Sequence, residues 1–113
     1  MRDAIANAKR NGIKNAWFTC ADAGRFMEEA AAEGEQCDVV FMDPPRAGAS
    51  EEFLSALLSL APPRVVYISC DPGTLARDLA VLKKGPYRAG RIQPVDMFPH
   101  TEHIECVVKL SRE

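Results

Sequence analysis

Two short runs of β-branched and aromatic residues, at positions 38–42 and 64–69, each stop abruptly at a turn and give way to a stretch with helical periodicity. Apolar runs of this length bounded by turn formers read as strands buried on both faces, and such strands belong to sheets covered by helices. After the first run, Asp43 and the pair Pro44-Pro45 break the strand. Ser50 with Glu51 and Glu52 then opens a helix whose Leu54, Leu57 and Leu58 form an apolar stripe, ended by Pro62-Pro63. After the second run, Asp71-Pro72 or Thr74 starts a helix carrying Leu75, Leu79 and Leu82, closed by Lys83, Lys84, Gly85 and Pro86.

Upstream, Asp3 is placed to cap a short helix through Arg10, with Ile5 and Ala8 on one face and Gly12 as its stop. Residues 16–20 read as a short apolar strand, and 23–33 as a helix that sets Phe26, Met27 and Ala30 on one face before Gly34. The last quarter changes character. Residues 88–97 and 104–110 are strand-like with no helix between them, joined by 98–103, and should pair antiparallel. The expected fold is therefore α/β: an open, mostly parallel sheet with an antiparallel C-terminal strand pair.

A chain of 113 residues suffices for one domain, or part of one, and its net charge of -2 offers no broad attraction for phosphate. Residues 79–95 contain no acid while Lys83, Lys84, Arg88 and Arg91 are basic, which reads as a solvated helix end and strand edge before it reads as a phosphate track. Cys20, Cys37, Cys70 and Cys106 form no CxxC pair and no metal-ligand spacing with His100 and His103, so free thiols, no metal site and a reducing, cytoplasmic setting are expected. No cleavable leader is apparent, and no apolar run approaches the ~18 residues of a membrane span.

In open α/β sheets, ligands bind beyond the carboxyl ends of the strands. Asp43 ends one strand, rigidly held before two prolines, as a carboxylate facing a ligand's donors or as a simple turn cap. Cys70 ends the other, inside Tyr67-Ile-Ser-Cys-Asp-Pro-Gly-Thr74. Between a strand end and a helix N-terminus the thiolate is favoured, which suits a nucleophile, although a lone cysteine in an apolar strand is more often packing. Glu105 opens the last strand beside apolar residues, either as a general base or as a solvated edge charge.

Met42-Asp-Pro-Pro-Arg-Ala-Gly48, a sixteen-residue gap, and then Val65-Val-Tyr-Ile-Ser-Cys-Asp-Pro-Gly-Thr74 resemble one signature of the TrmA-like RNA 5-methyluridine methyltransferases. Asp96-Met-Phe-Pro-His-Thr-Glu-His-Ile-Glu105 resembles the second. With the flanking helices the resemblance covers essentially the entire chain, and it departs at Asp71, where many members carry asparagine. The fold implied is a partial Rossmann-like class I methyltransferase domain, with residues 1–113 as the C-terminal portion of its catalytic domain.

The resemblance implies S-adenosyl-L-methionine as cofactor and an RNA substrate, rRNA or tRNA. Cys70 would add to carbon 6 of a uracil, carbon 5 would take the methyl group, and Glu105 would remove the carbon 5 proton. Asp43 would belong to the pocket where cofactor and base meet, and Asp22 resembles the acidic position near the cofactor's adenine. The family's RNA-binding region and glycine-rich cofactor loop have no counterpart among these residues. Weak cofactor binding, little activity of the isolated chain and possible self-association through an incomplete sheet are therefore expected. Two rivals remain at this point: an amino-group methyltransferase of nucleic acid or protein, because an Asp-Pro-Pro turn also resembles those sites, and a non-catalytic structural or interaction module.

Overall fold

A computed structural model describes residues 1–97 and 104–112 of the chain. In order, its elements are α1 (Arg2–Arg10), α2 (Ala23–Ala32), β1 (Val39–Met42), α3 (Glu51–Leu60), β2 (Arg64–Ser69), α4 (Pro72–Lys83), β3 (Tyr87–Val95) and β4 (Glu105–Arg112). The four strands form one sheet in the order β1-β2-β4-β3. β1 and β2 run parallel, joined through α3, whereas β4 is antiparallel to both β2 and β3. The antiparallel terminal pair is thus present, and inserting β4 between β2 and β3 leaves one parallel pair and two antiparallel ones.

Local chemistry sets each helix start. Asp22 caps α2 by accepting from the Arg25 amide (3.1 Å), Ser50 caps α3 by accepting from Phe53 (3.1 Å), and Asp71 caps α4 by accepting from Gly73 and Thr74. Each bond satisfies one of the amides that a helix N-terminus leaves without an intrahelical partner. Pro72 occupies the first turn of α4, where its missing N–H costs nothing. α1 differs: Met1 precedes it with no side-chain cap, and Asp3 lies inside its first turn as a charge favourable to the helix dipole rather than as the cap expected.

Alternation along β2 and β4 builds the core. Val65, Tyr67 and Ser69 point inward from β2, as do Cys106, Val108 and Leu110 from β4. They meet Leu57 of α3 and Leu75, Leu79 and Leu82 of α4. Leu57, Val65, Leu82, Val108 and Leu110 retain no exposed surface, so each contributes roughly 1.5–3 kcal/mol of burial free energy. At the far end of the sheet, the buried Tyr87 hydroxyl donates to the Pro62 carbonyl (2.7 Å) and the Arg112 amide donates to that of Pro63 (2.9 Å), which anchors both terminal strands to the α3–β2 turn.

Residues 16–20 are not a strand. No neighbouring strand lies beside them among the described residues, and an isolated apolar run with unpaired backbone groups does not hold a strand conformation. Trp17 is 86% exposed, Phe18 40% and Ile13 50%, and α1 buries none of its residues. The outer edge of β1 is likewise without a partner strand among the described residues, and Phe41 projects from it 72% exposed. No helix among the described residues is long and apolar enough to cross a membrane.

Candidate active site

The chain direction of each strand decides which residues meet. β1 and β2 are parallel with Met42 beside Tyr67, so Asp43 and Cys70, which follow these strands, emerge at the same end of the sheet. β4 runs the other way, so its first residue reaches that end too. The register pairs Ser69, the residue before Cys70, with Cys106, the residue after Glu105, so Cys70 and Glu105 flank the last pair of the β2–β4 ladder. Glu105 is paired on its other side with Val95, the last residue of β3.

Both Cys70 and Glu105 are half-buried, and all four cysteines are free thiols. The turn holding Cys70 is tightly tied. Buried Ser69 donates its hydroxyl to the Asp71 carbonyl (2.8 Å) and accepts from the Asp71 amide (3.0 Å), while the Asp71 carboxylate caps α4. Asparagine at position 71 would supply the same acceptor, so the family departure preserves the cap.

Beside this turn, a crevice of about 390 Å³ is lined by Asp22, Met42, Asp43, Pro44, Pro45 and Ser50, among others. The N-termini of α2 and α3 converge on it, since a Cβ on Gly24 would lie 3.0 Å from the Ser50 hydroxyl and 3.3 Å from the Asp22 carboxylate. Asp22 and Asp43 are exposed and share this crevice, although they lie twenty-one positions apart in sequence. Cys70 and Glu105 are not part of its lining. Asp22 and Asp43 thus share a crevice, while Cys70 and Glu105 flank the end of the β2–β4 ladder.

Side chains of α4 and β2 fasten the loop that follows β1. Asp78 on α4 is fully buried and accepts from the Tyr67 hydroxyl (2.6 Å) and the Ala49 amide (2.8 Å) through one oxygen. Its other oxygen accepts from the Arg77 guanidinium (3.1 Å). Arg77 also donates to the Ala47 carbonyl (2.7 Å), and the Thr74 hydroxyl donates to that of Arg46 (2.8 Å). Burial pushes the Tyr67 phenol well above its ordinary pKa, and the hydrogen bond and negative charge of Asp78 add to this, with a smaller contribution from Cys70. Tyr67 therefore stays a donor. The available signal was an acid inside the stripe Leu75, Leu79, Leu82, one step before Leu79, where an apolar residue was expected.

The basic stretch does not converge on this end. Lys83 and Lys84 close α4 at the opposite end of the sheet, Arg88 pairs beside Ser111 near that end, and Arg91 sits within a register irregularity of β3. His100 and His103 lie outside the described residues, and no group of three or more His, Cys, Asp or Glu is arranged to hold a metal among the described ones.

The family model of tRNA (uracil-5-)-methyltransferases matches residues 21–113, which include every site residue named above. The chain belongs to the tRNA (uracil-5-)-methyltransferase family. It is 47% identical over 112 residues to an uncharacterized RNA methyltransferase of Bacillus cereus, covering 99% of this chain and 24% of that protein. It is 50% identical over 109 residues to one from Halalkalibacterium halodurans, covering 96% and 24%. Among solved structures, the tRNA (uracil-54, C5)-methyltransferase of Pyrococcus abyssi in complex with S-adenosyl-L-homocysteine superposes with a TM-score of 0.75 at 37% identity, over 95% of this chain and 25% of that one. The chain thus spans about a quarter of the length of these family members.

Proposed function

We propose that this chain carries the catalytic end of an S-adenosylmethionine-dependent RNA uracil-5-methyltransferase of the cytoplasm, with Cys70 as nucleophile and Glu105 as base. The assignment is supported above all by the β2–β4 register, which pairs the neighbours Ser69 and Cys106 and so brings Cys70 and Glu105 to the end of the sheet that also bears Asp43.

Uracil carbon 5 is a weak nucleophile. Addition of the Cys70 thiolate to carbon 6 pushes the ring's electron pair toward carbon 5 and the carbon 4 oxygen, so carbon 5 becomes enolate-like. S-adenosylmethionine, when bound, supplies an electrophilic methyl group. Glu105, on the neighbouring strand, takes the proton left on carbon 5, and the electrons of that bond re-form the 5,6 double bond as the carbon–sulfur bond breaks. Cys70 returns as thiolate and the product is 5-methyluracil. The base has to leave its stack to reach a half-buried thiol, which favours a single-stranded or extruded uridine in tRNA or rRNA.

The crevice fits the cofactor's chemistry. Asp43 and Asp22 present acceptors to hydroxyl and amino groups, and Asp22 uses only one carboxylate oxygen for its cap. Phe41, Met42 and Pro44 supply apolar surface for a flat ring. These residues make up one wall, so the chain in isolation is expected to bind cofactor weakly and transfer little methyl.

The direct test uses RNA bearing 5-fluorouridine, because fluorine on carbon 5 cannot leave as a proton and traps the adduct. An active protein carrying this chain should form a denaturant-resistant RNA complex in the presence of cofactor, and Cys70→Ala should form none. Unchanged methylation by Cys70→Ala, or labelled methyl on a base amine, would overturn the assignment.

A further inference from the structure

The most unusual side chain outside the reacting pair is Asp78. It has no exposed surface, yet it sits on the core face of α4 with Leu75, Leu79 and Leu82. Burying a carboxylate is costly unless its oxygens are fully engaged, and a leucine of similar size would often stabilise such a position as well or better. Stability alone therefore does not account for it.

What an apolar residue could not do is fasten the loop of residues 43–50. Asp78 holds the Ala49 amide, its neighbour Arg77 holds the Ala47 carbonyl, and Thr74 holds the Arg46 carbonyl. The loop closes on itself through the Gly48 amide and the Pro45 carbonyl (2.8 Å). Gly48 has φ +83, and a Cβ there would run into the Arg77 guanidinium and approach the Asp78 carboxylate to 2.8 Å. Only glycine lets the loop lie this close. Meanwhile Tyr67, a further donor to Asp78, stands on β2 three residues before Cys70, and α4 itself begins two residues after Cys70.

We propose that Asp78 is a positioning residue that locks the loop bearing Asp43 to the strand–helix turn bearing Cys70, so that the crevice and the thiol face one bound uracil at a fixed separation. It rests on the roles given above to Cys70 and Asp43. Asp78 touches neither of them and acts through Ala49 and Tyr67. Because a shift of about 1 Å at a reacting centre costs on the order of 100-fold in rate, a rigid link between two loops from different strands has a large kinetic effect.

The test measures the single-turnover rate of adduct formation on 5-fluorouridine RNA in the active enzyme that carries this chain. Asp78→Asn should slow it about 30-fold while RNA binding stays within about twofold, because the partners move but the RNA surface does not. Tyr67→Phe, which removes one donor, should slow it severalfold and serves as the milder variant if Asp78→Asn folds poorly. The deciding readout is coupling: in an Asp43→Asn background, either substitution should slow the reaction by less than about threefold, since the loop's contribution is already lost. Penalties that multiply in the double variants, or folded single variants that react at the wild-type rate, would overturn the proposal. If Cys70→Ala still forms the adduct, the underlying assignment fails instead; if it forms none while the penalties multiply, the assignment stands and only the positioning role falls.

Discussion

The β2–β4–α4 side of the molecule and the flank made by α1, residues 11–22 and the outer edge of β1 both carry large apolar side chains, yet only the first buries them. Val65, Tyr67, Val108 and Leu110 are shielded by neighbouring strands and by α3 and α4. Across the sheet, Trp17, Phe18, Phe26 and Phe41 surround an open apolar trough of about 820 Å³. Hydrophobicity marks which residues want cover, while burial needs a partner element to provide it. That trough stays open in a chain that spans a quarter of its relatives' length.

The largest contrast is expected in stability. Leu57→Ala, at a site with no exposure, should destabilise the chain by about 2–5 kcal/mol, whereas Phe41→Ala should change it by no more than about 0.5 kcal/mol in denaturant titrations. Equal effects would mean that the β1 edge is covered in solution. Phe41→Arg should then reduce self-association of the isolated chain by light scattering without lowering its melting temperature; unaltered association would remove this edge as the contact.

Next in size is Gly48→Ala. It forces a side chain into a positive-φ position and against Arg77, and should cost about 1–3 kcal/mol. A neutral result would mean that the loop swings away from α4 easily.

Both tyrosines lie on the packed side, and their phenol absorbance at alkaline pH probes it. Burial pushes Tyr87 up to about 12, against a partial lowering by the Arg112 cation, and Tyr67 is raised chiefly by burial and then by Asp78. A folded pKa above the unfolded value of about 10 means that this stabilisation is complete below pH ~10 and is lost as pH climbs through the folded values. Stability should begin to fall near pH 9, where burial and then Asp38 and Glu35 raise the Cys37 thiol, and fall more steeply beyond about pH 10 as the tyrosine contribution is lost. Ultraviolet absorbance showing either phenol ionising near 10 in the folded chain would contradict the packing. The smallest effect belongs to Asp71→Asn, which keeps the cap acceptor and should shift stability by no more than about 0.5 kcal/mol.

Periodicity and turn chemistry made β1, β2, all four helices and the terminal strand pair legible in the sequence, although β1, expected to be buried, leaves Val39 and Phe41 exposed for want of a partner on its outer edge among the described residues. Residues 16–20 misled because an apolar run states a preference, and no strand among the described residues lies beside it to pair. Cys70, Asp43 and Glu105 were visible as strand-end residues, but their juxtaposition depends on the register of β2 against β4, which comes from residues some forty positions apart. Asp78 escaped notice because a single acid in a leucine stripe resembles a surface position. Only the loop folded against it reveals four donors aimed at its oxygens.

The account stands or falls on whether sulfur and carboxylate work on the same ring. The most direct measurement is mass-spectrometric mapping of the RNA adduct that builds up when an active protein carrying Glu105→Gln meets ordinary uridine RNA and cofactor. A stable pyrimidine adduct, already methylated at carbon 5 and attached to the peptide containing Cys70, is the predicted result. Normal turnover with no adduct, or attachment at Cys20, Cys37 or Cys106, would contradict it.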